Sequence, residues 1–341
     1  MFARSAPRPG KFRGVLYIAR VDPVDLAAVA DDFDHEVAIT PGIDRFCSST
    51  AWILAASQAL MPPRIPFSFR GDHGFFAAMR GIHPAGFPYI EPVELAWGLA
   101  APLVGRDPEA LVAELVPVLV ARRDWQLAIL SGLSADGPQR AALEAHLPER
   151  WERRRGTPTV RHVASLAGGL DGFLSRRSRE LRKTIRKTLR AASEEGVTFE
   201  RVALPTDPTA LYERILAVEA KSWKTREGVG IAAGPMRAFY AAMLPRIVAT
   251  GQCRVMFARR ADADVDVGFI LGAVFVGEYR GLQFSYDDDL AHLGIGGLLQ
   301  YHQVAQLCQE GVERYDLGTE MDYKRRWAED TMETEMLVVV R

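Results

Sequence analysis

Cysteine is scarce in this chain: Cys47, Cys253 and Cys308 are the only three in 341 residues, and they stand far apart. They form no CxxC pair and no metal-ligand spacing, which excludes a disulfide framework and fits a reducing compartment. An excess of charge of either sign is lacking too. Lys and Arg total 42 against 43 for Asp and Glu, a formal net charge of -1. No global field therefore recruits nucleic acid or an anionic membrane. Long apolar runs are absent: LVAELVPVLVA, 111 to 121, falls well short of the ~20 residues of a membrane-spanning helix. The N-terminus, MFARSAPRPGKFRG, is basic without the apolar run of a signal peptide. HExxH, GxSxG and Walker A patterns are also missing, and the seven histidines show no paired spacing. These absences argue against a metal site, an α/β-hydrolase and a P-loop enzyme. The expectation is a cytoplasmic protein with no metal and no membrane span.

What is present is ordinary globular composition, 48% hydrophobic and 25% charged. The length exceeds what one core usually fills, so two domains are expected. The boundary is placed in LPERWERRRGTPT, 147 to 159, a charged stretch that ends in the turn-forming Gly-Thr-Pro. It divides the chain into residues 1–155 and 156–341. In the first part FSFRG (67 to 71), GFFAAM (74 to 79), GFPYIEP (86 to 92) and WQLAILSGL (125 to 133) have strand character. Residues 107 to 124 have helix character, with Asp107 as N-cap and Pro108 in the first position. Pro117 is expected to kink or split that helix.

In the second part Leu174, Leu181, Ile185 and Leu189 form a helical stripe, followed by a strand over 197 to 204. Helices over 211 to 223 and 236 to 249 lead into three strands, 253 to 258, 265 to 276 and 279 to 286. Short turns make these an antiparallel meander. A glycine-rich loop, a helix over 298 to 311 and the strand 314 to 318 come next, and 334 to 340 closes the chain. This is not a repeated βαβ Rossmann order. Residues 101 to 132 echo the same loop, helix and strand sequence in the first part.

The chemistry points to the glycine-rich loop. Gly294, Ile295, Gly296 and Gly297 directly precede a helix that begins near Leu298. Glycines admit a ligand to the backbone, and a helix N-terminus carries partial positive charge, so the pair favours a phosphate or pyrophosphate. A flexible turn leading into a helix is the plainer alternative. A second feature is the run Arg176, Arg177, Arg179, Arg182, Lys183, Arg186, Lys187 and Arg190, opposed only by Glu180. It is either a solvated helical face or a surface for phosphates.

Four segments carry a family resemblance: FLSRRSRELRKTIRKTLRAASEEGVTFERV, EAKSWKTREGVG, FSYDDDLAHLGIGGLLQ and GVERYDLGTEMDYKRRW. The last, through Asp316, Gly318, Tyr323, Lys324 and Trp327, is similar to the ending D-[FL]-G-x(4)-Y-K-x-x-[FW]. Residues 165 to 330 thereby resemble the GNAT superfamily, in its tandem branch of CelD-like and Fem-type (peptidoglycan aminoacyl-transferring) proteins. The resemblance implies an α+β fold of two GNAT-like domains, each a twisted mixed β-sheet flanked by helices, meeting face to face across an acceptor cleft. It implies an N-acyltransferase that takes its acyl group from acyl-CoA as co-substrate, or from acyl carrier protein, to an amine of a small molecule, sugar or peptide. Ala291 stands where the general GNAT loop has Arg or Gln. Two alternatives stay open: a Fem-type transferase dependent on aminoacyl-tRNA, and a non-catalytic binding protein of the same fold.

The resemblance places Gly294 to Gly297 and Leu298 on the donor, and Asp287, Asp316, Glu320, Tyr323 and Lys324 around the acceptor. Asp287 follows the strand that leads into the donor loop, and Asp316 and Glu320 bracket the next strand. Tyr323 is the expected proton donor to the leaving thiolate, and Lys324 the partner of an oxyanion or a donor phosphate. Neighbours on a strand face opposite sides, so Tyr323 and Lys324 share one pocket only if a loop carries them. In the first-half echo Asp107 would repel a pyrophosphate, and Gly105 is expected to tolerate substitution.

Overall fold

The computed structural model describes residues 24–202 and 206–341. The basic N-terminal segment and the last two residues of the strand expected over 197 to 204 lie outside them. Twelve strands form one mixed sheet, and a smaller sheet joins Phe69–Gly71, Gly74–Phe76 and Leu103–Val104.

Two strand–helix–strand units organise the large sheet. In the first, Pro88–Pro92 and Leu127–Leu133 pair in parallel at Tyr89↔Leu127 and Ile90↔Ala128, with the helix Pro108–Ala121 crossing between them. In the second, Glu278–Tyr286 and Arg314–Thr319 pair in parallel across the helix Ile295–Gln309. The first strand of each unit also pairs with an antiparallel neighbour, Ala78–Ile82 in one case and Val265–Phe275 in the other. The strands Cys253–Arg260, Val265–Phe275 and Glu278–Tyr286 form the expected antiparallel meander.

The units are stitched together by strands from both ends of the second half. Thr159–Ser165 pairs with Arg314–Thr319. The C-terminal strand Asp330–Val340 pairs with Thr159–Ser165 through its first residues and with Leu127–Leu133 through its last. The halves are therefore joined edge to edge within one sheet, not face to face. Helices complete the contact, as Thr50–Leu60 packs on Gly234–Ala249 around a shared core that includes Phe33, Trp52, Phe239 and Phe257.

Local chemistry sets the helix ends. Asp107 accepts from Ala110 N–H, Asp207 from Thr209 and Ala210, and Ser178 from Leu181. The Ser178 cap splits the expected stripe, so Leu174 lies in a separate short helix, Gly169–Ser175, ahead of Arg179–Glu194. Pro117 does not split its helix. Leu111, Val112, Leu115, Val116 and Leu119 are buried along it, and that packing offsets the lost backbone hydrogen bond. Gly105 is also not the free position expected. A Cβ there would stand 2.1 Å from the His73 carbonyl oxygen, where backbone blocks it.

Four charged side chains are buried where the halves meet. Arg280 Nη1 donates to Asp44 Oδ2 at 2.8 Å and to Asp316 Oδ2 at 2.7 Å. Arg161 reaches the same two carboxylates, Asp44 at 3.2 Å and Asp316 through a short hydrogen bond. Burial works against ionising Asp44, but the Arg161 and Arg280 guanidiniums overcome it and hold its carboxyl below the ordinary range. The stability this gives is present above the ordinary carboxylate pKa and is lost as pH falls through the lowered one.

Removing one carboxylate leaves two buried arginines to share a single anion. Asp44→Asn should therefore lower the free energy of unfolding by about 3–5 kcal/mol. Asp32→Asn, which breaks only the exposed pair with Arg70, should cost less than ~1 kcal/mol. Urea denaturation of the two variants measures the difference.

Candidate active site

A cleft opens because two paired strands part. Parallel pairing between Glu278–Tyr286 and Arg314–Thr319 stops at Arg280↔Asp316. Beyond that point Leu282 is an extra residue opposite Leu271 and Gly272, a bulge that bends one strand. On the other strand Gly318 has φ +81°, and its N–H donates to Asp316 Oδ1 at 2.7 Å. Side chains take up carbonyls along the freed edges. Tyr240 Oη donates to Leu282 O at 3.3 Å, Lys224 Nζ to Phe284 O at 2.5 Å, and Lys324 Nζ to Thr319 O at 2.7 Å. The V between the strands continues into a cleft of about 560 Å³.

The expected donor loop forms one end. Gly294 has φ +67° and precedes the helix Ile295–Gln309, whose N-terminus has no side-chain cap. Gly294, Gly296 and Gly297 line the cleft. A Cβ added at Gly296 would lie 2.9 Å from the rings of both Phe284 and Tyr286, so the bare backbone is what fits there. Ile295 and Leu298 are fully buried in the core beneath, so they offer a ligand only their backbone. Free N–H groups in the first turn and the helix dipole suit this end to an anion. The basic helix Arg179–Glu194 runs alongside, with its Thr188 packed against Gly294. Arg179, Lys183, Arg186, Lys187 and Arg190 are exposed on it and form no ion pair among the described residues.

Tyr323 and Lys324 both line the cleft, carried by the turn Asp322–Arg326 and not by a strand. Burial lowers the Lys324 ammonium to about 8, helped by repulsion from Arg280. Burial raises the Tyr323 phenol well above its ordinary value, so it stays protonated. The three expected acids lie elsewhere. Asp287 caps the turn Asp288–Leu293, accepting from Asp289 N–H, and faces Lys221 at 3.7 Å. Asp316 is held in the buried charge cluster, with one oxygen on the arginines and the other on Gly318 N–H. Glu320 is exposed and paired with Arg325 at 2.5 Å. Among the described residues no Asp or Glu lines the cleft, whereas Lys224, Arg280, Lys324 and Arg326 do.

The sequence reading assigned no role to three further lining residues. Lys224 sits on the short helix Trp223–Glu227, and its position in KSWK marked the segment without showing which way the side chain turns. Burial lowers its ammonium below the ordinary lysine value. Trp52 and Trp97 come from the first half and form the far wall, with ring centroids 4.9 Å apart. Nothing local in the sequence brings them to a site more than a hundred residues away.

Comparison with known proteins agrees with this geometry. Residues 179–325 match the family described as Acetyltransferase (GNAT) domain. No curated protein matches the chain. Among solved structures, FemX superposes on 90% of this chain and 95% of its own, with a TM-score of 0.63 at 13% identity. A conserved protein of unknown function from Bacteroides thetaiotaomicron covers 94% and 99%, with a TM-score of 0.62 at 14% identity. L-PGS from Bacillus licheniformis covers 91% of each chain, with a TM-score of 0.55 at 10% identity. Residues 179–325 thus match the acetyltransferase (GNAT) domain family, and the chain shares its fold with FemX over nine tenths of its length.

Proposed function

We propose that this protein is a cytoplasmic N-acyltransferase whose donor is an acyl thioester of coenzyme A, or the same phosphopantetheine thioester on a carrier protein. The observation that carries the reading is the bare, uncapped helix start at Gly294–Gly297, which opens onto a V with a lysine on each arm. In this reading residues 156–341 hold the donor and residues 1–155 wall the acceptor. The donor's phosphates sit at the helix N-terminus, and its thioester arm lies in the V. The acceptor nitrogen attacks the thioester carbonyl; the C–N bond forms as the C–S bond breaks. Neutral Lys324 takes the proton from nitrogen, and Tyr323 donates one to the departing thiolate. With no carboxylate on the cleft wall, a lysine with its pKa near 8 is the base best matched to the task.

The exposed cations of the helix Arg179–Glu194 favour a second reading, in which the acyl group arrives as an aminoacyl ester on tRNA. Thermal-shift measurements with CoA, acyl carrier protein and tRNA separate the two: the true donor stabilises the fold, and the others do not.

Two outcomes are expected. Gly296→Val should push into Phe284 and Tyr286 and weaken CoA binding at least ~10-fold, about 1.4 kcal/mol, by calorimetry. Gly297→Ala, whose Cβ meets only Trp327 at 3.9 Å, should weaken it far less. For catalysis, kcat should rise as pH rises through about 8, where Lys324 loses its proton. Lys324→Met and the permanently charged Lys324→Arg should each lower turnover by ~10²–10⁴ and abolish that limb of the pH profile.

A further inference from the structure

The cleft brings cations together with no carboxylate on its own wall among the described residues. Lys224 and Lys324 stand on opposite arms of the V, and the charge of Lys224 adds to what lowers the Lys324 ammonium. Neither forms an ion pair among the described residues. Glu219, the acid whose charge Lys224 feels, is fully buried behind it and is bonded to Ile231 N–H at 3.0 Å. Lys324 spends one of its three N–H bonds on Thr319 O, and Lys224 two of three on Gln283 Oε1 and Phe284 O. Donors therefore remain on both ammoniums. Ser285 lines the same cleft; it is 3% exposed, and its hydroxyl has no hydrogen-bond partner. Burying two ammoniums and a bare hydroxyl is costly unless something anionic meets them.

Next to this polar patch the cleft turns aromatic. Trp52, Trp97 and Tyr240 line it, and Phe239 packs against all three with centroids 5.1 to 5.3 Å away. The spacing follows from the strand. Tyr240 is bonded to Leu282 O and Lys224 to Phe284 O, and carbonyls two residues apart on a strand are roughly 7 Å apart.

We infer that the acceptor is an amino acid, or a molecule ending in one, that carries a carboxylate beside an apolar body. The carboxylate lies against Lys224 and Ser285, the apolar body lies against Trp52, Trp97 and Tyr240, and Lys324 on the other arm stays free to act as the base. This assignment rests on the acyl-transfer reading for its role but on the cleft alone for its binding. It gives the first half of the chain a definite task, because Trp52 and Trp97 select the apolar part.

Calorimetry of the full chain with L-phenylalanine, phenethylamine and glycine tests it, with CoA titrated separately. Phenylalanine should bind at least ~10-fold tighter than phenethylamine, which lacks the carboxylate, and than glycine, which lacks the ring. Lys224→Met should bring phenylalanine down to the level of phenethylamine. Trp97→Phe should leave that carboxylate preference in place while narrowing the margin over glycine. Phenethylamine binding as well as phenylalanine, no binding of any of the three, or competition between phenylalanine and CoA for one site would each overturn the inference. If CoA binds and the amino acid shows no preference, this inference fails while the donor reading stands. Amino-acid binding without CoA, carrier-protein or tRNA binding sustains this inference and sinks the donor reading.

Discussion

Everything about the cleft depends on the point where two parallel strands stop pairing, and four buried charges sit at that point. Arg280 and Asp316 are the last pair that joins the two strands to each other, and their side chains bond to each other, to Arg161 and to Asp44. Past them, backbone that would otherwise continue the ladder is left to face a ligand. An apolar set of similar volume would be no less stable in such a place, because desolvating four charges consumes most of their attraction. What the charges add is direction. Each arginine reaches two carboxylates, one from each half of the chain, so the fork cannot slide along the strands without breaking several bonds together. The Gly318 N–H, held by the same Asp316, turns the second arm away at that level.

The electrostatics of the cleft follow from this arrangement. Both acids of the cluster are turned away from the ligand space, while Arg280 still borders it. Lys224, Lys324 and the start of the helix Ile295–Gln309 add positive potential, and the walls are largely apolar. In such surroundings the proton on Lys324 is weakly held, which is why burial comes first among the causes of its lowered pKa. A cleft of this sign favours anionic ligands and a neutral amine over an ammonium.

Features written in local pattern were legible in the sequence. Strand alternation and short turns marked the meander, Asp107 and Pro108 marked the helix start, and Gly294 to Gly297 marked an uncapped helix entrance that lines the cleft. Tyr323 and Lys324 share the cleft because a turn carries them, the condition their adjacency required. Features that depend on distance were not legible. Asp44 and Arg280 are 236 residues apart, and Arg161 and Asp316 are 155 apart. No periodicity records such a meeting, so nothing in the sequence around Asp316 announced its place in the buried charge cluster. Asp287 and Glu320 misled for a related reason: an acid beside a glycine loop or at a strand end has a local use, as a cap or a surface ion pair, that sequence proximity does not distinguish from chemistry. An arginine inside the apolar strand YRGLQFSY was the one available sign that a buried charge needed partners.

The two strand–helix–strand units show how one plan leaves the helix start open in one place and closed in the other. Both run a strand into a helix and back into a parallel neighbour. In the first unit the helix begins after Asp107, whose carboxylate bonds to Ala110 N–H, while Gly105 N–H is taken by Thr40 Oγ1 at 2.7 Å. The anion that the helix dipole favours is thus already part of the chain. In the second unit the same position is Gly294, with no side chain to cap the helix and with φ in the left-handed region, and the glycines of the first turn line the cleft. A phosphate approaching the first helix would have to displace a carboxylate and then bear its repulsion; one approaching the second meets only backbone donors. A single residue at the helix entrance, aspartate or glycine, is enough to decide which helix start presents free backbone donors to an anion and which is closed by its own carboxylate.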